Sequence, residues 1–221
     1  MKEIEEKAAA SADVIGGADG PTSYFLLGGK NSKPTLGQRL HKLRYEFRKK
    51  RVVKALKPNP HSMDEVADYI INELGFFEVD KDEEEYKTEY CQMRASFILM
   101  YKSELLGELA DIPKPECHDE EGIKHMMAEI ERRQKAAEEV PPEAFDIDLH
   151  IFEKNDEENH TKIIMEKNYG YIGGSASGSE NSVKKFGKTY RKVYEYYGVT
   201  QKDIDEKSKR YTEVVKTLAL H

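Results

Sequence analysis

Three groupings of residues in this chain have types and spacings that could do chemistry. The first is Gly173-Gly174-Ser175-Ala176-Ser177-Gly178-Ser179, whose outer glycines stand as far apart as those of a phosphate-cradling Walker loop. Ser179 occupies the place of the lysine that anchors the outer phosphates, so the run predicts at most a weaker anion site. Gly173, Gly174, Ser175, Gly178 and Ser179 would build that site at the start of the next helix. The alternative is a flexible connector. The second grouping is cationic. Residues 39–57, RLHKLRYEFRKKRVVKALK, carry nine Lys/Arg and one acid, a local charge of +8 in a chain of −7, so everything else sums to −15. Arg39, Lys42, Arg44, Arg48, Lys49 and Arg51, with Tyr45 among them, form a basic surface suited to nucleic acid, anionic lipid or an acidic partner. The alternative is pairing with the chain's own acidic stretch from Asp80 to Glu85.

The third grouping, Cys117, His118 and His125 with Glu129, lacks the paired ligand spacing of a structural zinc site, so no metal centre is expected. No nucleophile elbow, cysteine–base pair or apolar-framed carboxylate pair occurs, and no catalytic residue is assigned. Tyr190, Tyr194, Tyr196 and Tyr197 lie close together. Helical spacing sends some of them to the core, and an exposed remainder would form a protein interface.

One further segment, Val14-Ile15-Gly16-Gly17-Ala18-Asp19-Gly20-Pro21-Thr22-Ser23, resembles the signature of the β subunits of sodium-ion-translocating decarboxylases, the oxaloacetate, methylmalonyl-CoA and glutaconyl-CoA pumps. The likeness covers about residues 13–27. It implies a biotin-dependent, sodium-linked decarboxylase subunit, with Asp19 as ion ligand, Thr22 and Ser23 as auxiliary oxygens, and Gly20-Pro21 breaking a helix so that its carbonyls face the ion. Sodium is the one ion so implied, and no cofactor is expected on this chain itself. The rest of the chain departs from that family: Lys30, Lys33 and a basic helix follow the motif, and Tyr24 stands where the family has an aliphatic residue. Asp-Gly-Pro is also ordinary turn chemistry between two short strands, which is the competing reading of 13–29.

These residues need elements to position them. Leu36, Leu40, Leu43 and Phe47 recur at helical spacing, predicting an amphipathic helix over 36–57 with that stripe inward, ended before Pro58 and Pro60. Ser62 and Glu65 make a capping box for a helix with Val66, Ala67, Ile70, Ile71 and Leu74 inward and Gly75 as its stop. The longest helix is expected over 83–110 on Tyr86, Tyr90, Met93, Phe97 and Met100, and another over 119–139 on Ile123, Met126, Met127 and Ile130. Alternation of Phe145, Ile147, Leu149 and Ile151 with polar residues predicts a strand, Lys154 to His160 a loop, and Thr161 to Ile172 the returning strand. A lone hairpin is marginal, so 23–27 is expected to add a third strand. Two helices follow, 181–197 with Val183, Phe186, Tyr190, Val193 and Tyr197 inward and Gly198 capping, and 201–219, entered through Thr200.

The fold class is therefore α+β, mostly helical, with a small antiparallel hairpin or sheet near 145–172 joined by 23–27. The expected organisation is a tail (1–12), the signature segment (13–29), a helical region (30–140) and a hairpin with two helices (141–221). Regions 30–140 and 141–221 form either two domains or one continuous domain. Only 38% of the 221 residues are hydrophobic and 35% are charged, which sets a thin core. The longest apolar run is five residues, Phe97 to Tyr101, so no transmembrane insertion is expected. Two cysteines and an N-terminus without an apolar leader point to a cytoplasmic location, and a bacterial source is implied by the resemblance alone. The function expected is an accessory protein that works through a protein partner. The alternatives are a nucleic-acid or anionic-surface module built on 39–57, and sodium binding or decarboxylase-related activity through Asp19.

Overall fold

The computed structural model describes residues 12–14, 36–111, 120–156 and 159–220. They fall into two compact units, one built from 12–14, 36–79 and 150–220, the other from 80–149, so Pro141-Pro142 lies within the second. Segment 23–27, Asp19, Thr22, Ser23 and Cys117 lie outside the described residues. Among the described residues no helix is long and apolar enough to cross a membrane. The fold is α+β and mostly helical.

In the first unit a sheet is ordered β1-β5-β4-β3-β2: Ala12–Val14, Tyr171–Ser177, Asn159–Glu166, Leu149–Asp156 and Phe77–Glu78. β1 pairs antiparallel with β5, as β5 does with β4 and β2 with β3. Two expectations are corrected here. Of the run from Lys154 to His160 expected as a loop, Lys154, Asn155 and Asp156 belong to β3 and Asn159 and His160 to β4. The Gly/Ser run is not a loop either. Gly173 to Ser177 form the body of β5, with Gly174 opposite Ile163 and Ser175 opposite Lys162. The reason is steric: a Cβ on Gly174 would meet the Phe186 ring at 2.8 Å and the Tyr190 ring at 2.9 Å, so glycine lets the strand lie directly under those rings.

Helix α2, Met63–Asn72, starts at the capping box: Ser62 Oγ accepts from Glu65 N–H, and Glu65 accepts from Ser62 N–H at 2.7 Å. Helix α5, Glu180–Tyr197, is capped by Ser179, whose Oγ accepts from Ser182 N–H. The expected helix over 201–219 is two helices, α6 (Gln201–Glu206) and α7 (Lys209–Leu220). Thr200 and Asp203 form a capping box for α6, Lys207 takes the left-handed conformation at φ +49°, and Ser208 starts a new helix by accepting from Tyr211 N–H. The core lies where α5 covers β4 and β5 and α2 and α7 pack against α5: Val66, Ile70, Phe152, Ile163, Met165, Ile172, Phe186, Tyr190, Val193, Tyr194, Val214 and Leu218. Tyr190 and Tyr194 both donate to the Ile172 carbonyl, at 2.9 and 2.8 Å. Of the tyrosine cluster, Tyr190, Tyr194 and Tyr197 are buried in the core and Tyr196 is half-buried.

In the second unit α3 spans Glu84–Tyr101, shorter than expected. The chain kinks at Lys102 and continues as a 3-10 stretch, Ser103–Leu109, around Gly107 at φ +57°. Helix α4 spans Glu120–Glu139, with Met126 buried and Met127 exposed. Phe145 and Ile147 are buried ahead of β3 rather than within it. Two buried arginines tie loop carbonyls to the helices of this unit. Arg94 donates to the carbonyls of Phe145, Val140 and Pro141, each at 2.7 Å, and Arg133 donates to those of Leu109 and Ala110. Charged donors of this kind make the stronger class of hydrogen bond.

Candidate functional site

Helix α1, Leu36–Ala55, carries the cationic grouping, and the chemistry of its faces is set by the 100° turn per residue. Tyr45, Val52 and Leu56 fall on one side. They are half-buried, and Val52 and Leu56 pack on the core of the first unit. Leu36, Leu40, Leu43 and Phe47 fall within an arc of about 60° on the opposite side. The sequence expectation that these four face the core is overturned: they are 77, 49, 66 and 65% exposed. Both rows are apolar at helical spacing, and the shorter one won because it meets α7. Of the described side chains of α1, only Tyr45 and Val52 are not exposed.

Arg39, Lys42, Arg44, Arg48, Lys49 and Arg51 are all exposed on this helix. By helical phase Arg39 and Lys50 flank the apolar row on one side, and Arg44 and Arg51 flank it on the other. Arg48 donates through Nη1 to the Leu220 carbonyl at 3.3 Å, tying the helix to the end of α7. Among the described residues, no ion pair joins a lysine or arginine of α1 to a carboxylate. Unpaired cations at this density give a long-range positive potential on an otherwise acidic chain.

The remaining sequence candidates are scattered. Gly173, Gly174 and Ser175 have their backbone in the β5 ladders. Gly178, at φ +131°, and Ser179 lead into α5, where the Ser179 hydroxyl is already used as the cap. The structure therefore does not gather these five residues into a loop. Within each unit taken by itself, no three His, Cys or carboxylate side chains among the described residues converge on one point.

Sequence reasoning missed a polar cluster on the sheet. Buried Glu153 meets Lys162 Nζ at 3.6 Å and His160 Nε2 at 3.4 Å, and buried Glu166 accepts from Tyr169 N–H at 2.7 Å. Their alternation along β3 and β4 was the available signal, hidden because His160 was assigned to a loop. Also missed was the surface stack in which Tyr196 lies between His61, at a ring separation of 3.9 Å, and Tyr69, at 4.2 Å. Glu213, buried on α7, has an Oε1 without a hydrogen bond, and burial pushes its carboxyl above the usual range despite Lys209 and Lys216. No protein-family model matches the chain, and comparison with curated proteins and with solved structures finds no significant similarity.

Proposed function

We propose that this protein is a binding module that docks on an anionic surface through α1. One observation carries this: eight lysines and arginines crowd a 20-residue helix whose described side chains are nearly all exposed and, among the described residues, without an ion pair. Self-pairing, the ordinary fate of a charge run, does not account for them. The rest of the chain is acidic and repels an anionic surface, so approach is oriented and α1 arrives first.

The test is retention on heparin at pH 7 as salt is raised. The full chain binds despite its net charge of −7 and elutes as salt screens the contact. A variant with Lys42, Arg44, Lys49 and Arg51 changed to Gln flows through with an unchanged circular dichroism spectrum. Elution of both proteins at the same salt overturns the reading.

A further inference from the structure

The cations of α1 are not alone on its exposed side, and the apolar row between them narrows the choice of anionic surface. Leu36, Leu40, Leu43 and Phe47 make a continuous line about 16 Å long. Exposing four large apolar side chains in one row costs solvation free energy that a partner recovers by covering them. Val52 and Leu56 hold the opposite side of the helix to its unit, so this row points away from that contact. An outermost ridge suits a flat, deformable surface. Arginine and lysine stems on both flanks are long enough to reach anionic head groups while the Leu and Phe side chains dip beneath them.

Resting on the reading of α1 as an anionic-surface module, we infer that the surface is an anionic lipid bilayer, on which α1 lies flat with Leu36, Leu40, Leu43 and Phe47 inserted at the head-group boundary. A second copy of the chain is a poor occupant, because two segments of local charge +8 repel. A nucleic-acid duplex answers the cations but gives the central apolar row nothing to bury against, since phosphates would meet Leu and Phe. The helix need not span anything. It is an interfacial element, with charged and apolar residues interleaved.

The test is flotation of the full chain with vesicles of phosphatidylcholine alone and with vesicles containing a third phosphatidylglycerol, beside the triple variant Leu40→Ser, Leu43→Ser, Phe47→Ser. All three side chains are exposed, so the variant keeps the core intact. The expected result is flotation with the anionic vesicles only, weakened about 100-fold in the triple variant, with heparin retention unchanged. Heparin retention without vesicle binding overturns the lipid inference and leaves the broader reading standing. Failure on both heparin and vesicles overturns the broader reading itself. Equal flotation on neutral vesicles also overturns the inference, because the cations then contribute nothing. Tight binding to a short DNA duplex, equal in wild type and triple variant and without vesicle binding, makes nucleic acid the partner instead.

Discussion

The carbonyl oxygen of Asn59 fills the space where residue 198 would carry a side chain: a Cβ built on Gly198 stands 1.9 Å from it. The two strands of chain meet here through Asn59 N–H to Val199 O at 3.0 Å and His61 N–H to Tyr197 O at 3.1 Å. Arg210 closes the crossing from α7, donating to the carbonyls of Gly198, His61 and Tyr197 while its guanidinium sits 3.9 Å over the Tyr197 ring. One glycine and one arginine thus hold together segments about 140 residues apart in sequence.

Gly198→Ala should therefore be among the most damaging single substitutions in the chain. Gly198 sits at φ +58° and ψ −162°, a region open essentially to glycine, and the collision is with backbone rather than a movable side chain. The expected loss is at least about 3 kcal/mol in urea unfolding. Gly107→Ala supplies the contrast. Gly107, at φ +57° and ψ −118°, is also strained for alanine, but nothing lies within 4 Å of its Cβ position, so the cost there should be smaller, about 2 kcal/mol from the backbone alone. Equal losses at the two sites would show that the Asn59 contact contributes nothing.

Arg94→Met should cost about 3 kcal/mol, because three carbonyls lose a charged donor at once, although that of Pro141 keeps its bond from Ala144 N–H. Arg94→Lys should recover little, since one ammonium does not reproduce the planar fork that reaches Val140, Pro141 and Phe145 together. Amide exchange over 140–147 is the direct readout. It should quicken in both variants, and an exchange pattern like that of wild type for Arg94→Lys would rule out the geometric argument.

Glu213 makes stability pH-dependent in the direction opposite to an ordinary paired carboxylate. Burial raises its carboxyl in the folded chain above the unfolded value of 4.5, so the native state binds the proton more readily. Stability contributed by the neutral form is present at and below that unfolded value and is lost as pH rises through the raised folded value. Glu213→Gln, neutral at every pH, should melt higher than wild type at pH 7, with the gap closing as pH approaches 4.5. A pH-independent gap would instead assign the effect to packing against Tyr190, Tyr194 and Tyr197, whose hydroxyls its charge helps push upward.

Much of the fold was legible because its signals are local. Ser62 and Glu65 announced α2 by a reciprocal cap, and Phe186, Tyr190, Val193 and Tyr197 announced the buried face of α5 by spacing alone. What failed needed tertiary information. The row from Leu36 to Phe47 shows that helical periodicity reports a face without saying what meets it, and the row that packs, Tyr45 to Leu56, is the less conspicuous one. Gly173 to Ser177 have turn composition, and they form a strand because the rings of Phe186 and Tyr190 demand a surface without side chains at Gly174. The break at Lys207 was masked by apolar spacing that continues through it, while Ser208, a ready cap, was the signal passed over. Of the candidate site, the charge was plain in the sequence and the exposure of the apolar row was not.

The first unit is assembled from two stretches of chain separated by the whole of the second, and this has a consequence during synthesis. Helix α1 rests on α7, whose residues leave the ribosome more than 150 positions later, an interval of roughly 10 to 30 s at ordinary rates of translation. For that time Val52, Leu56 and the apolar side of α2 lack the native cover that α5 and α7 supply. Contacts of such long range also slow folding itself. The nascent chain thus presents both apolar sides of a cationic helix to its surroundings at once, and the last helix made is the one that buries the inner side and leaves the outer row as the surface it finally displays.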